Sequence, residues 1–328
     1  MGGIRVEVHE SADVLSTMLL ALAGGPREAK PHPITAAAIE HVRPFRNHAS
    51  IGWLKGFAST QDLVGLFGHA AQLAGPVSFA PRSRQVPTYL RGYEPERMKD
   101  LPARLAAFYA DAKVGAFRRA HVSEYTLAEA DVRDALDGAA IESFLRDLYG
   151  PVKYALVVAP VPTHPRTGGG TGAANAWESF AFLRPPRVAA SSSDPVAWSS
   201  DPEGTQVLVQ HELSHALFHD AAREAGDLAA RLAPLLAKVP PDAALARVYG
   251  TGDRRIAELF IRGSSAAYLR RTRGDETAQR WLNEHARRLG TPLVRDFFLA
   301  IEAYLGGRRW SDLRAFLADL PDALGRVA

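Results

Sequence analysis

The chain of 328 residues contains no cysteine, which removes disulfides, thiolate metal sites, iron–sulfur clusters and cysteine nucleophiles together. Any metal it holds must sit on His, Asp or Glu. No apolar run reaches the roughly 18 residues that a bilayer span requires, so no membrane span is expected. The most apolar N-terminal stretch, Met18-Leu19-Leu20-Ala21-Leu22-Ala23, follows Glu7, His9, Glu10 and Asp13, whereas a signal peptide wants a basic start. The chain reads as soluble, either cytoplasmic or secreted after removal of a leader. Neither sign of charge dominates: Lys+Arg of 39 against Asp+Glu of 36 leaves +3. With no basic patch, nucleic acid is not an expected partner. Nothing in the sequence sets the oligomeric state.

What is present is ordinary globular composition, 47% hydrophobic and 23% charged, enough for a sizeable core. Ile4-Arg5-Val6-Glu7-Val8 alternates like a half-buried strand, and Ser11 offers an N-cap to a helix ending near Ala23. Residues 34–48, 59–73, 98–119 and 126–149 read as four further amphipathic helices, so residues 1–150 form a mainly helical part. Past Gly150-Pro151 the pattern changes, and residues 151–328 read as the catalytic part. Tyr154 to Val161 is a β-type run, Gly168-Gly169-Gly170-Thr171-Gly172 follows, and Trp177 to Leu183 alternates with period two. The expectation is a pair of strands joined by a mobile loop. That loop lacks the Lys-Ser/Thr of a phosphate-binding loop. A polar linker at 191–195 precedes Asp201-Pro202-Glu203, which combines an N-cap, Pro at the first helical position and an acid in the first turn. Residues 275–288, 292–305 and 310–319 read as closing helices.

The helix that Asp201 opens carries His211-Glu212-Leu213-Ser214-His215. Histidines four residues apart lie on one helix face a turn apart, so both imidazoles can reach one ion, and catalytic zinc is commonly held by three protein ligands. Glu212 projects from an adjacent direction, where a carboxylate can take a proton from the attacking water and pass it to a leaving amine. Val207, Leu208, Val209, Leu213, Ala216, Leu217 and Phe218 flank the motif and favour a buried helix. The competing structural explanation is a helix with two stacked, hydrogen-bonded histidines and no metal.

The third ligand is less directly marked. His219 lies about 12 Å of helix rise from His211, too far to share an ion with it, and no glycine turns the chain early as in the metzincin pattern. Glu258, about forty residues downstream, sits in the second turn of a helix that Asp253 is expected to cap. Its competing role is an ion pair with Arg254 or Arg262, each four residues away. Asp253 is the rival ligand: Gly250-Thr251-Gly252-Asp253 superficially resembles the Gly-Thr-x-Asp of aspzincin peptidases, without the Tyr-Gly that should follow. Asp220 could orient a ligating imidazole through its other ring nitrogen. Tyr249 and Tyr268 are candidate oxyanion donors, with His285 and Arg262 behind them, and Tyr249 is taken as the catalytic donor.

The Glu258 segment resembles the arrangement of thermolysin-like enzymes, the gluzincins, whose third ligand is a glutamate on a second helix. More broadly, the chain resembles a bacterial family of metallopeptidase-like proteins described only as a domain of unknown function. The resemblance rests on Val6-Glu7-Val8 with its helix, Asn47-His48-Ala49-Ser50, the helix from Phe108 to Phe117, the glycine-rich segment, the His-Glu-x-x-His helix and Tyr249 to Arg262. It implies a gluzincin-type fold with His211, His215 and Glu258 as zinc ligands and Glu212 as base, and it implies no particular substrate. The expected architecture is α+β and predominantly helical, zincin-like, with a small sheet packed on the His-Glu-x-x-His helix. The expected activity is zinc-dependent hydrolysis of a peptide or protein. Residues 175–183 are the strand expected to bind the substrate backbone by β-augmentation. Hydrolysis of a non-peptide amide or ester by the same ligands, and a zincin-fold binding protein without turnover, are the alternatives.

Overall fold

The computed structural model describes residues 3–25, 31–57, 60–75, 79–82, 95–187, 196–307 and 309–327; the linker read at 191–195 lies outside them. In chain order the elements are β1 (Arg5–Val6), α1 (Glu10–Ala23), α2 (Pro33–Val42), α3 (Ala49–Leu54), α4 (Thr60–Ala70), α5 (Pro95–Met98), α6 (Leu101–Asp111), α7 (Val114–Ala120), α8 (Val122–Ala135) and α9 (Gly138–Tyr149). Then come β2 (Ala155–Pro160), β3 (Gly170–Ala174), β4 (Glu178–Leu183), α10 (Pro202–Glu224), α11 (Leu228–Leu236), α12 (Ala244–Tyr249), α13 (Gly252–Arg273), α14 (Asp275–Leu289), α15 (Leu293–Gly306) and α16 (Leu313–Val327). Among the described residues the chain is mostly helical with one small mixed sheet, an α+β composition. No helix among the described residues is long and apolar enough to cross a membrane.

Two compact units are formed, residues 1–137 with 154–213, and residues 138–153 with 214–328. The parts read from composition, 1–150 and 151–328, are stretches of sequence that each contribute to both.

In the first unit the strand order is β1-β2-β4-β3. Strand β2 runs parallel to both β1 and β4, and β3 is antiparallel to β4. The expected pair of strands, β2 and β4, is therefore a parallel pair, with Val157 beside Phe180. The hairpin is β3–β4, and Gly170, Thr171 and Gly172 of the segment read as a mobile glycine loop belong to strand β3 itself. Bulk is absent from β3 because the strand is buried along most of its length, and small residues permit that close approach. It follows that β4, within the 175–183 segment expected at the substrate edge, is interior like β2, and that among the described residues β1 and β3 lie at the two edges of this sheet.

One sheet face presents Val157, Ala159, Ala173, Phe180 and Phe182 to α1, α3, α4 and α6, whose Leu15, Met18, Ile51, Leu54, Leu66, Phe67, Leu105 and Phe108 complete the core. Phe180 and Phe182 stack at 5.4 Å between centroids, and the His9 ring stands edge-on to both. Ser179, facing the opposite way, donates through Oγ to the Leu213 carbonyl of α10 at 3.4 Å. Under α1, the fully buried Asp13 accepts from Arg118 at 2.6 Å, Tyr125 at 2.8 Å and Thr163 at 2.9 Å.

Helix boundaries differ from the periodic reading where the backbone turns without a sequence signal. Residues 98–119 break at Lys113, which adopts φ 50, and 126–149 break at Leu136-Asp137 between α8 and α9. His9, not Ser11, caps α1, its ring accepting from the Ala12 amide. The cap of α13 is Thr251, which leaves Asp253 in the first turn. Asp201 does open α10, its carboxylate accepting from the Gly204 amide at 2.9 Å.

The second unit is built around α13, whose Ile256, Leu259, Phe260, Ile261 and Leu269 are buried. Phe260 packs on Phe218 of α10 at 4.6 Å and on Phe316 of α16 at 6.4 Å. At Gly263 an added Cβ would lie 2.9 Å from the Phe298 amide nitrogen and 3.1 Å from the Phe297 carbonyl carbon, so α13 and α15 meet backbone to backbone there.

Candidate metal centre

The apolar flanks of α10 do what their pattern requires: Val209, Leu213, Ala216 and Phe218 are buried. This orients His211 and His215 along a common, half-buried stripe. Helix α13 adds Glu258, itself buried. One ligand atom from each of His211, His215 and Glu258 lies within 4.8 Å of the other two. Two imidazole nitrogens and one carboxylate oxygen form a donor set that could hold a divalent transition metal such as zinc, iron, copper or nickel. Burial lowers the pKa of His215, opposed by the Glu258 charge and reinforced by Arg262, and a neutral imidazole is the ligating form.

Glu258 is both things its sequence position allowed. It joins the histidine pair, and it also forms an ion pair with Arg262 one turn along α13. Tyr249, at the end of α12, donates its hydroxyl to Glu258 Oε1 at 2.8 Å and accepts from Arg262 Nη2 at 3.4 Å. Burial, then the adjacent Glu258 charge, raises the Tyr249 pKa. Burial alone would lower that of Arg262, but Glu258 overrides it and the pKa is raised. The Tyr249 hydroxyl is thus turned toward the carboxylate.

Glu212, largely buried, lies against the first residue of β3. A Cβ at Gly170 would sit 2.9 Å from Glu212 Cγ and 2.8 Å from the Phe182 carbonyl oxygen, so only glycine leaves this approach open. Arg184, just past β4, donates to the Gly170 carbonyl at 3.1 Å. Its pKa is lowered by burial, against the raising effect of Glu212, with Arg166 adding to the fall. Neither Gly170 nor Arg184 was singled out from sequence for this site. A strand built of glycine and alanine carries no side-chain signal, and a lone arginine after a strand has no spacing that marks it.

A scan of family models and searches of curated proteins and solved structures find no match to the chain.

The other residues named from sequence lie elsewhere. Asp253 is exposed and outside the cluster. His219 is stacked one turn beyond His215, 6.4 Å between centroids, with its pKa pushed down to about 3 by burial, His215 and Arg254. Asp220 pairs with Arg223 at 3.7 Å. Tyr268 is buried against Phe144 in the core of the second unit.

Proposed function

We propose that this protein is a zinc-dependent metallopeptidase of gluzincin type, with His211, His215 and Glu258 as the metal ligands and Glu212 as the general base. The observation that carries the reading is the approach of three donors, from two helices, to within 4.8 Å of one another. The spacing of His211, Glu212 and His215 on α10 supports it, since it sets two imidazoles on one helix face with a carboxylate beside them. Zinc bound by such a set supplies Lewis acidity that polarises a scissile carbonyl.

The chain's own groups do the rest. Glu212 takes the proton of the attacking water and returns it to the leaving amine. Gly170, by lacking a side chain, lets the Glu212 carboxylate rest against the start of β3. As an edge strand, β3 is where an extended substrate backbone would pair, its Gly170 end placing the scissile bond beside Glu212. Tyr249 reaches an oxyanion only by releasing Glu258, so its role divides between donor and support of the ligand.

The test is metal analysis of protein purified without chelator, joined to a peptide-library and ester panel. Wild-type protein is expected to carry one zinc and to cleave peptides. Glu212→Gln should keep the zinc and lose roughly 10²–10⁴-fold in turnover. Absence of zinc would sink the proposal, and cleavage of esters or amides without peptides would move it to the non-peptide hydrolase.

A further inference from the structure

Glu258 does not stand alone on α13, and its neighbours form a connected chain of contacts. Two donors converge on the same carboxylate oxygen, Oε1: the Tyr249 hydroxyl and Arg262 Nη2. The second terminal nitrogen of Arg262 donates to Nδ1 of His285 on α14. An arginine has no acceptor, so Nδ1 of His285 must present its lone pair and the ring carries its proton on Nε2. The His285 ring is in turn stacked on Trp281, 3.6 Å between centroids and 12° between planes. His285 and Glu258 are both buried. These residues all belong to the second unit.

We infer that Arg262 and His285 are positioning residues for the third metal ligand, a deepening that rests on the metallopeptidase reading. Two donors on Oε1 hold the carboxylate plane in place. Arg262 supplies a charge partner to a carboxylate that is buried, where a lone charge is strongly disfavoured. The forked guanidinium is needed because a single head must serve Glu258 on one side and His285 on the other; lysine offers a point charge and cannot span both. The His285–Trp281 stack fixes the fork. The ligand is thus held ready, and binding metal costs little rearrangement.

The experiment is competition for zinc between the full-length protein and a chelating indicator, with circular dichroism as the check on folding. Arg262→Met is expected to weaken apparent zinc affinity by roughly 10–100-fold, and Arg262→Lys to recover only part of the loss. His285→Leu should weaken zinc binding, while His285→Gln, whose amide oxygen can still accept from Arg262, should recover it. A folded Arg262→Met with wild-type affinity overturns the inference. If that variant does not fold, equal affinities for His285→Leu and His285→Gln overturn it instead. Wild-type protein that binds no zinc removes the metallopeptidase reading and this inference with it, so the two failures are told apart by the wild-type titration.

Discussion

At the scale of single residues, the most sensitive position outside the donor set is Gly170. Alanine there would press on the Phe182 carbonyl and on Glu212 Cγ at once, and the carbonyl belongs to the neighbouring strand and cannot yield. Gly170→Ala is expected to lower turnover by at least about tenfold, since a displacement near 1 Å at a reacting group can cost far more, while zinc content is unchanged. Wild-type turnover in the folded variant would show that Glu212 can act from a shifted position. Tyr249 offers a second test. If its hydroxyl mainly supports Glu258, Tyr249→Phe reduces zinc affinity and turnover together. A fall in kcat at constant affinity assigns it to the oxyanion.

At the scale of elements, α13 bears the ligand and its support, and its packing is set by Gly263. Glycine to alanine within an exposed helix stabilises by about 1 kcal/mol. Here the added methyl meets the α15 backbone, so Gly263→Ala is expected to destabilise the fold by about 1–3 kcal/mol, seen as a lower urea midpoint. A raised midpoint would mean that the two helices separate without cost. Elements of this kind were unequally legible in the sequence. Helix α10 announces itself through its apolar flanks and its Asp201 cap, and α14 through its pattern, whereas the cap expected of α13 at Asp253 falls at Thr251; the His211, Glu212 and His215 candidates follow from spacing on one helix. Strand β3 does not, because alternation cannot be read where every residue is small and most are buried. The interior place of β4 was hidden for a different reason: strand order depends on contacts between segments far apart, and the local pattern of Trp177 to Leu183 suits an edge or a centre equally. Arg262 was read as a weak oxyanion candidate and as an ion-pair partner of Glu258, and its second contact to His285 lies on another helix.

At the scale of the whole molecule, buried histidines tie stability to pH. Burial, aided by Arg82, pushes His9 down to about 4, burial brings His32 to about 4 against the opposing charge of Asp131, and burial with Arg184 takes His164 to about 3. In each the folded value lies below the unfolded value of about 6.5, so the unfolded chain binds more protons in that interval. Their contribution is complete above pH about 6.5 and is lost as pH falls toward 4, by up to about 1.4 kcal/mol per pH unit for each fully buried ring. Urea midpoints measured from pH 7 to 4.5 should fall steadily; a flat profile would show that these rings are solvated.

The sheet also constrains how the molecule is made. Among the described residues strand β1 pairs with β2 alone, and Asp13 takes a donor from Thr163, 150 residues away in the chain. Helices α1 to α8 therefore leave the ribosome before β2 and β4, whose Val157, Phe180 and Phe182 close their core, have been synthesised. At about 5–20 residues per second, this interval lasts seconds, during which the apolar faces of α1, α4 and α6 lack their sheet. Such long-range pairing slows folding, and nascent chains halted before β4 are expected to be bound by chaperones and cut by proteases that the finished protein resists.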